Sequence, residues 1–268
     1  MDFNVWWLAY LALGATAGFL AGLLGIGGGG VMVPILTAIF VAQGVPAAYV
    51  VHLALGTAMA VMAVTAISSL RAHHRLGSVR WDIFRTITPG ILIGAFAATF
   101  FAATVASRPL ALFFAGFMAL MAVQMMMDVK PKPTRNLPGK IGVSAVGLGI
   151  GGISALVAIG GAALSVPFMV RCNVRLQHAI GTSAAIGWPV AVAGAGGYLV
   201  NGLNMPGMPA YSIGFIYLPA LVTIAVAGVI AAPFGAKLAH RMPVKRLKKV
   251  FAVFFMLLSL KMVHTVFF

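Results

Sequence analysis

The sequence predicts an all-α polytopic membrane protein made of two inverted repeats, each a Gly-broken, re-entrant helical segment followed by three transmembrane helices. Three observations predict it. First, 62% of the 268 residues are hydrophobic and 8% are charged, with a mean hydropathy of +1.06. Runs of about 20 apolar residues, enough to cross a bilayer, recur from end to end and give about eight hydrophobic segments. Second, one such run is interrupted by Leu24-Gly25-Ile26-Gly27-Gly28-Gly29-Gly30-Val31-Met32-Val33-Pro34, with five glycines in six positions. Glycine weakens a helix and frees backbone N–H and C=O groups. In hydrocarbon such groups are tolerated only where protein or a water-lined cavity covers them. Third, the interruption recurs. Ile159-Gly160-Gly161-Ala162-Ala163-Leu164-Ser165-Val166-Pro167 matches Ile26 to Pro34 as I-G-G-[GA]-[GA]-x-x-V-P. Ala54-Leu55-Gly56-Thr57 follows the first copy, and Ala179-Ile180-Gly181-Thr182 the second.

Paired breaks at corresponding places in two halves point to a transporter's binding site. A packing face of small residues competes with that reading. Two aligned clusters, each with its proline, favour the site.

Taken in order, Val5 to Gly25 is the first apolar segment, with Trp6, Trp7 and Tyr10 as an interfacial anchor. Past the break, Val31 to Ala42 covers only about 18 Å, too short for a core of about 30 Å. Pro34 falls near the first turn of this piece, where a missing N–H does no harm, and Pro167 is its counterpart. Gln43-Gly44-Val45-Pro46 reads as a turn. Val50 to Leu70 spans and ends in Arg71-Ala72-His73-His74-Arg75. Phe84 to Thr104 spans next, then a turn at Ser107-Arg108-Pro109, then Leu110 to Met127, whose methionines read as adaptable packing. The linker 128–140, with Lys130-Pro131-Lys132-Pro133, separates repeat one (1–127) from repeat two (141–268). Ile141 to Ile159, the second break, and Ala162 to Val170 follow. Ala179 to Val200, kinked at Trp188-Pro189, an uncharged loop at 201–211, Ile213 to Ala236 and Val250 to Phe267 complete the chain. The whole length reads as one integral membrane domain. Asp2, with no Lys or Arg ahead of the apolar run, speaks against a cleaved signal peptide.

Charge sets the topology. The formal net charge is +15, but the basic residues sit in short loops at 71–85, 128–140 and 237–249, the positive-inside pattern rather than a nucleic-acid groove. Eight simple crossings would put 71–85 and 237–249 on opposite sides. Two re-entrant hairpins put all three loops, with Arg171 and Arg175, in the cytoplasm and both termini outside. Each half then has an odd number of spans, so the halves are inverted and the breaks approach the midplane of the cell (inner) membrane from opposite sides.

The paired motifs Ile26-Gly27-Gly28-Gly29 with Pro34 and their second copy, the basic central linker and the length resemble the TauE/SafE-type family of sulfite and organosulfonate exporters. The resemblance covers essentially the whole chain. It implies outward transport of sulfur-containing or other small organic anions, coupled to an ion gradient. The second copy departs from the first at Ala162 and Ala163, which brings backbone less close to a ligand.

The chemistry on hand suits an anion. The three acids, Asp2, Asp82 and Asp128, lie in loops or at span ends, so no carboxylate offers a cation site, an intramembrane proton relay or hydrolytic acid–base catalysis. Half-helices starting at the breaks would aim free N–H groups and positive dipole ends inward. The expected binding set is Gly27, Gly28, Gly29, Gly30, Gly160 and Gly161, with hydroxyls from Thr57, Ser165, Thr182 and Ser183. His52 and His178, just ahead of the A-[LI]-G-T segments, are candidates for proton coupling, against an ordinary role at a span end. His73 and His74 read as solvated, and Gln124 and Asn173 as interhelical hydrogen bonds. Cys172 is the single cysteine, which excludes an intramolecular disulfide and a thiolate metal cluster. The reading is a secondary transporter that is not an enzyme and uses no cofactor or metal. Its partners are a small anion, the lipid bilayer and a coupling proton or other ion, with no nucleic acid and with homo-oligomerisation left open. A passive anion channel and a non-transporting scaffold are the alternatives.

Overall fold

A computed structural model describes residues 3–24, 28–127, 134–203, 205–239 and 244–267. In the first half, α1 (Phe3–Leu24) and α2 (Gly29–Ala42) flank the first break, followed by α3 (Val50–Arg75), α4 (Trp81–Thr104) and α5 (Ser107–Met127). In the second half, α6 (Lys140–Val157) and α7 (Ala162–Arg171) flank the second break, followed by α8 (Leu176–Gly202), α9 (Leu218–Ala239) and α10 (Val244–Phe267). Helices α1, α3, α4, α5, α6, α8 and α9 are long and apolar enough to cross a membrane. The chain is thus an all-α polytopic membrane protein, as its hydropathy predicts. With 14 and 10 residues, α2 and α7 rise about 21 and 15 Å, short of the hydrocarbon core.

Gly28 caps α2 in the left-handed region (φ 70°), and its carbonyl accepts the N–H groups of Val31 and Met32, both at 3.1 Å. Ala158 takes a similar conformation (φ 44°) at the end of α6. Pro34 and Pro167 lie inside the short helices, each five residues past the helix start. The two breaks touch. A Cβ added to Gly29 would fall on the Ala158 carbonyl oxygen, and one on Gly30 would sit 3.7 Å from the Ile159 side chain.

The halves are interleaved by exchange. Helix α1 packs on α9, α4 on α6, α3 on α8 and α5 on α10. Small residues set the first two pairings. Gly14, Gly18 and Gly22 of α1 lie against the backbone at Ile224, Gly228 and Ala232 of α9. Gly90 and Gly94 of α4 lie against Ser144 and Leu148 of α6, while Gly147 and Gly151 of α6 return the contact at Ile87 and Ile91. This is the small-xxx-small packing that membrane helices use for close approach.

Contacts also sort the turns into two ends. At one end Gln43 donates to the Tyr10 hydroxyl (2.8 Å), Ser107 donates to the Ala48 carbonyl (2.7 Å), and Tyr49 stacks near Phe215 (6.0 Å). At the other, the Thr134 and Arg135 N–H groups donate to the Arg171 carbonyl (3.0 and 3.1 Å), and His178 Nδ1–H donates to the Ser78 carbonyl (3.2 Å).

Two local readings differ from the sequence expectation. The apolar run from Ile213 does not start a span. It makes a hairpin of β1 (Ser212–Ile213) and β2 (Ile216–Tyr217) about Gly214 (φ 56°), and α9 begins at Leu218. Ser107-Arg108-Pro109 lies in the first turn of α5, where proline lacks nothing.

Candidate functional site

A cavity of about 380 Å³ lies between α1, α3, α8 and α9, and both breaks reach it. Gly28 lines it from the first break, and Gly160 and Ala162 from the second. Its polar wall is Thr65, Ser68, Ser69 and His73 on α3 and Ser183 on α8. No carboxylate of the described residues lines it. Ser183 bonds the buried Ser165 hydroxyl at 2.7 Å, which ties α8 to the first turn of α7. The first N–H groups of α7 have no acceptor within their own helix, as at any helix start, and they carry its positive dipole end.

The remaining predicted residues are placed as follows. Gly161 sits behind the wall, where an added Cβ would be 2.7 Å from Ile186 Cγ2. Gly29 is used in the junction with Ala158. Gly30 borders a void of about 20 Å³ with Ile159, Phe251 and Phe255. Gly27 lies outside the described residues.

Thr57 and Thr182 are fully buried and are not among the residues lining this cavity. Thr57 Oγ1 accepts the N–H of Tyr217 (3.0 Å), and Thr182 Oγ1 accepts the N–H of Arg80 (2.9 Å). The glycine before each is equally occupied. Gly56 abuts the Phe215 backbone, and Gly181 abuts Ser78. Each A-[LI]-G-T segment therefore docks the chain leading into a helix, α9 for the first copy and α4 for the second. Thr57→Val would leave the part-buried Tyr217 N–H without this partner, at a cost of about 1–3 kcal/mol. We expect a lowered melting temperature with ligand affinity unchanged. A weakened affinity at unchanged stability would return Thr57 to the binding set.

His52 lies at the far end of α3. Its Nε2–H donates to the Ala102 carbonyl (2.9 Å), and Nδ1 is 3.4 Å from the Ser107 hydroxyl. It buckles three helix ends together. His178 holds the 76–80 turn through Ser78.

The residue that sequence reading missed is His73. It is half-buried and lines the cavity rather than standing in solvent. The signal is in the sequence: Thr65, Ser69 and His73 recur at four-residue spacing, one polar stripe on an apolar helix. The basic run around His73 hides that stripe.

A second cavity of about 300 Å³ opens at the opposite end, lined by Trp6, Trp7, Tyr10, Gln43, Tyr211 and Tyr217 among others. The Tyr217 ring meets Tyr10 at 6.0 Å and Phe40 edge-on at 5.7 Å. Outside the spans, the Asp82 carboxylate raises the Arg80 guanidinium above its usual range through a two-pronged contact (2.8 and 2.6 Å). Burial pushes the Cys172 thiol up, which makes it a slow nucleophile.

A "Probable membrane transporter protein" of Haemophilus influenzae is 35% identical over 257 residues, covering 95% of this chain and 97% of its own. The "Probable membrane transporter protein YdhB" of Bacillus subtilis is 30% identical over 239 residues, covering 84% and 87%. No solved structure matches. The sulfite exporter TauE/SafE family matches residues 10–262, and the chain belongs to that family.

Proposed function

We propose that this multi-pass membrane transporter is a secondary exporter of small anions, with sulfite, thiosulfate and organosulfonates the foremost class. One observation carries the reading. Both Gly breaks reach one cavity whose polar wall is hydroxyls and an imidazole, with no described carboxylate. A helix N-terminus and hydroxyl donors favour an oxyanion. Glycine at Gly28 and Gly160 lets a ligand approach the backbone closely.

Alternating access is supported by two cavities opening at opposite ends, with the Thr57–Tyr217 docking and the Tyr10, Phe40 and Tyr217 rings between α3 and the aromatic vestibule. Inverted repeats are supported by the exchange of contacts. Each half's first helix packs on the other half's fourth, and the two A-[LI]-G-T segments make equivalent bonds in opposite directions across the halves. Among the described residues, Arg71, Arg75, Arg80, Arg171 and Lys237 share the end where the large cavity opens beside His73. The positive-inside rule makes that end cytoplasmic and the termini outside, a cargo-accepting arrangement for an exporter. Of the two histidines considered for proton coupling, His178 reaches the cavity's His73 through Ser78, while His52 lies at the opposite end.

The test is a thermal-shift panel of sulfite, thiosulfate, sulfoacetate, taurine and simple carboxylates on purified protein. Selective stabilisation rising with concentration reports binding to the native state. Export from loaded vesicles that saturates and responds to a proton gradient separates a transporter from a passive channel. No stabilisation and no flux would leave the glycines a packing role and the chain a scaffold.

A further inference from the structure

The cavity contains one ionisable side chain among the described residues, His73. Its environment defines which ring atom does what. The Ser78 hydroxyl donates its single proton to the His73 backbone carbonyl (3.0 Å). That leaves the Ser78 oxygen as an acceptor, so His73 Nδ1, 3.2 Å away, carries a hydrogen and donates it. Nε2 is then the basic atom, left for the cavity that the residue lines. In the neutral ring Nε2 can only accept, and it repels an oxyanion. Once protonated, it becomes a charged donor, the kind that binds oxyanions most strongly.

We propose, building on the anion-cavity reading above, that His73 is the proton-carrying residue of this site: its ring takes up a proton at Nε2 as the anion binds, donates that N–H to the anion, and releases the proton when the anion leaves. The surroundings fit a group whose charge depends on the ligand. On its own helix the neighbours are Arg71, His74 and Arg75. From α8, His178 reaches it through Ser78. Arg80, past the turn, is already paired with Asp82. From α9, Lys237 follows Pro233 of the cavity wall by one turn. Arg71, Arg75, Arg80 and Lys237 are cationic and Asp82 is the one acid named here, so a bound anion supplies the negative charge that the protonated ring pairs with. Linkage gives the sign. If the anion binds only the protonated ring, apparent affinity is full at acid pH and falls by up to tenfold per pH unit above the ring's own pKa. Ser78 also abuts Gly181, so the His73 ring is one hydrogen bond, through Nδ1, from the seam where the 76–80 turn docks on α8.

The test uses thiosulfate, whose charge is constant between pH 5.5 and 8.5, with calorimetry in buffers of different ionisation enthalpy. The expected wild-type result is affinity that falls more than tenfold from pH 6 to pH 8, with proton uptake on binding at pH 7.5. His73→Gln should bind weakly at every pH with no uptake. His73→Lys, permanently charged, should bind with little pH dependence and no uptake. A merely structural His73 would leave proton uptake unchanged in any variant that folds. Equal affinity, pH profile and uptake in wild type and His73→Gln would overturn the assignment and leave the cavity reading standing. Absence of binding by the wild type to thiosulfate and to the whole panel would overturn both.

Discussion

Gly29→Ala is expected to lower the melting temperature sharply. The added Cβ falls on the carbonyl oxygen of Ala158 and lies 2.5 Å from Met62 Sδ. The methionine can move. The carbonyl cannot, because Ala158 is buried and already held at positive φ at the end of α6. One methyl therefore has to part α2 from α6 where the two breaks meet. Overpacking a well-filled core costs about 1–3 kcal/mol, and a backbone obstacle belongs at or above the top of that range. Against a total stability of about 5–15 kcal/mol, the expected reading is a sharp fall in melting temperature and in monodisperse yield. Gly149→Ala is the control. It sits on the exposed face of α6 with no atom within 4 Å of the added Cβ, so it should be neutral or slightly stabilising. A Gly29→Ala protein with the melting temperature of the control would show that the junction between the breaks is looser than described.

One residue earlier, the failure should be of another kind. Gly28→Val is expected to abolish transport in protein that still inserts and folds. Gly28 has φ 70°, and an added Cβ would lie 3.2 Å from both the Ala17 carbonyl oxygen and the Ala21 Cβ. A β-branched residue held in the left-handed region costs about 1–3 kcal/mol, so the melting temperature should drop. The decisive effect is local. Gly28 lines the cavity, and under the proposed anion-binding role valine's methyls enter the space where backbone and anion would meet. Gly28→Ala, with the same strain and less bulk, should transport poorly rather than not at all. Transport rates and melting temperatures, measured side by side on the three Gly28 and Gly29 variants, separate lost site from lost fold. Normal flux in a well-folded Gly28→Val protein would remove the first break from the site.

The helical class was legible because hydropathy follows from composition. The two breaks were legible because five glycines in an apolar run have no cheap explanation in hydrocarbon. What was hidden depends on partners distant in the chain. Thr57 and Thr182 look like free hydroxyl donors until Tyr217 and Arg80 arrive, 160 and 102 residues away, to donate backbone N–H groups to them. The hairpin at 212–217 reads as more membrane helix because Ile213, Phe215 and Ile216 are apolar. Only the docking of Phe215 against Gly56 and Gly202 fixes its course. His73 was hidden by its basic neighbours, since a histidine among arginines resembles a solvated loop until the helix is seen to carry on to Arg75.

The pairing of α1 with α9 also has a bearing on how the chain is made. The ribosome finishes α1 at Leu24 and begins α9 at Leu218, 194 residues later (218 − 24). At roughly 5–20 residues per second, the Gly14, Gly18 and Gly22 face waits about 10–40 seconds in the bilayer or beside the insertion machinery before its partner exists. By contrast, α6 emerges with α4 already in place and pairs at once. Helix α1 is thus buried long after it is made. A stalled or truncated chain would expose that glycine face to lipid and to the proteases that survey it.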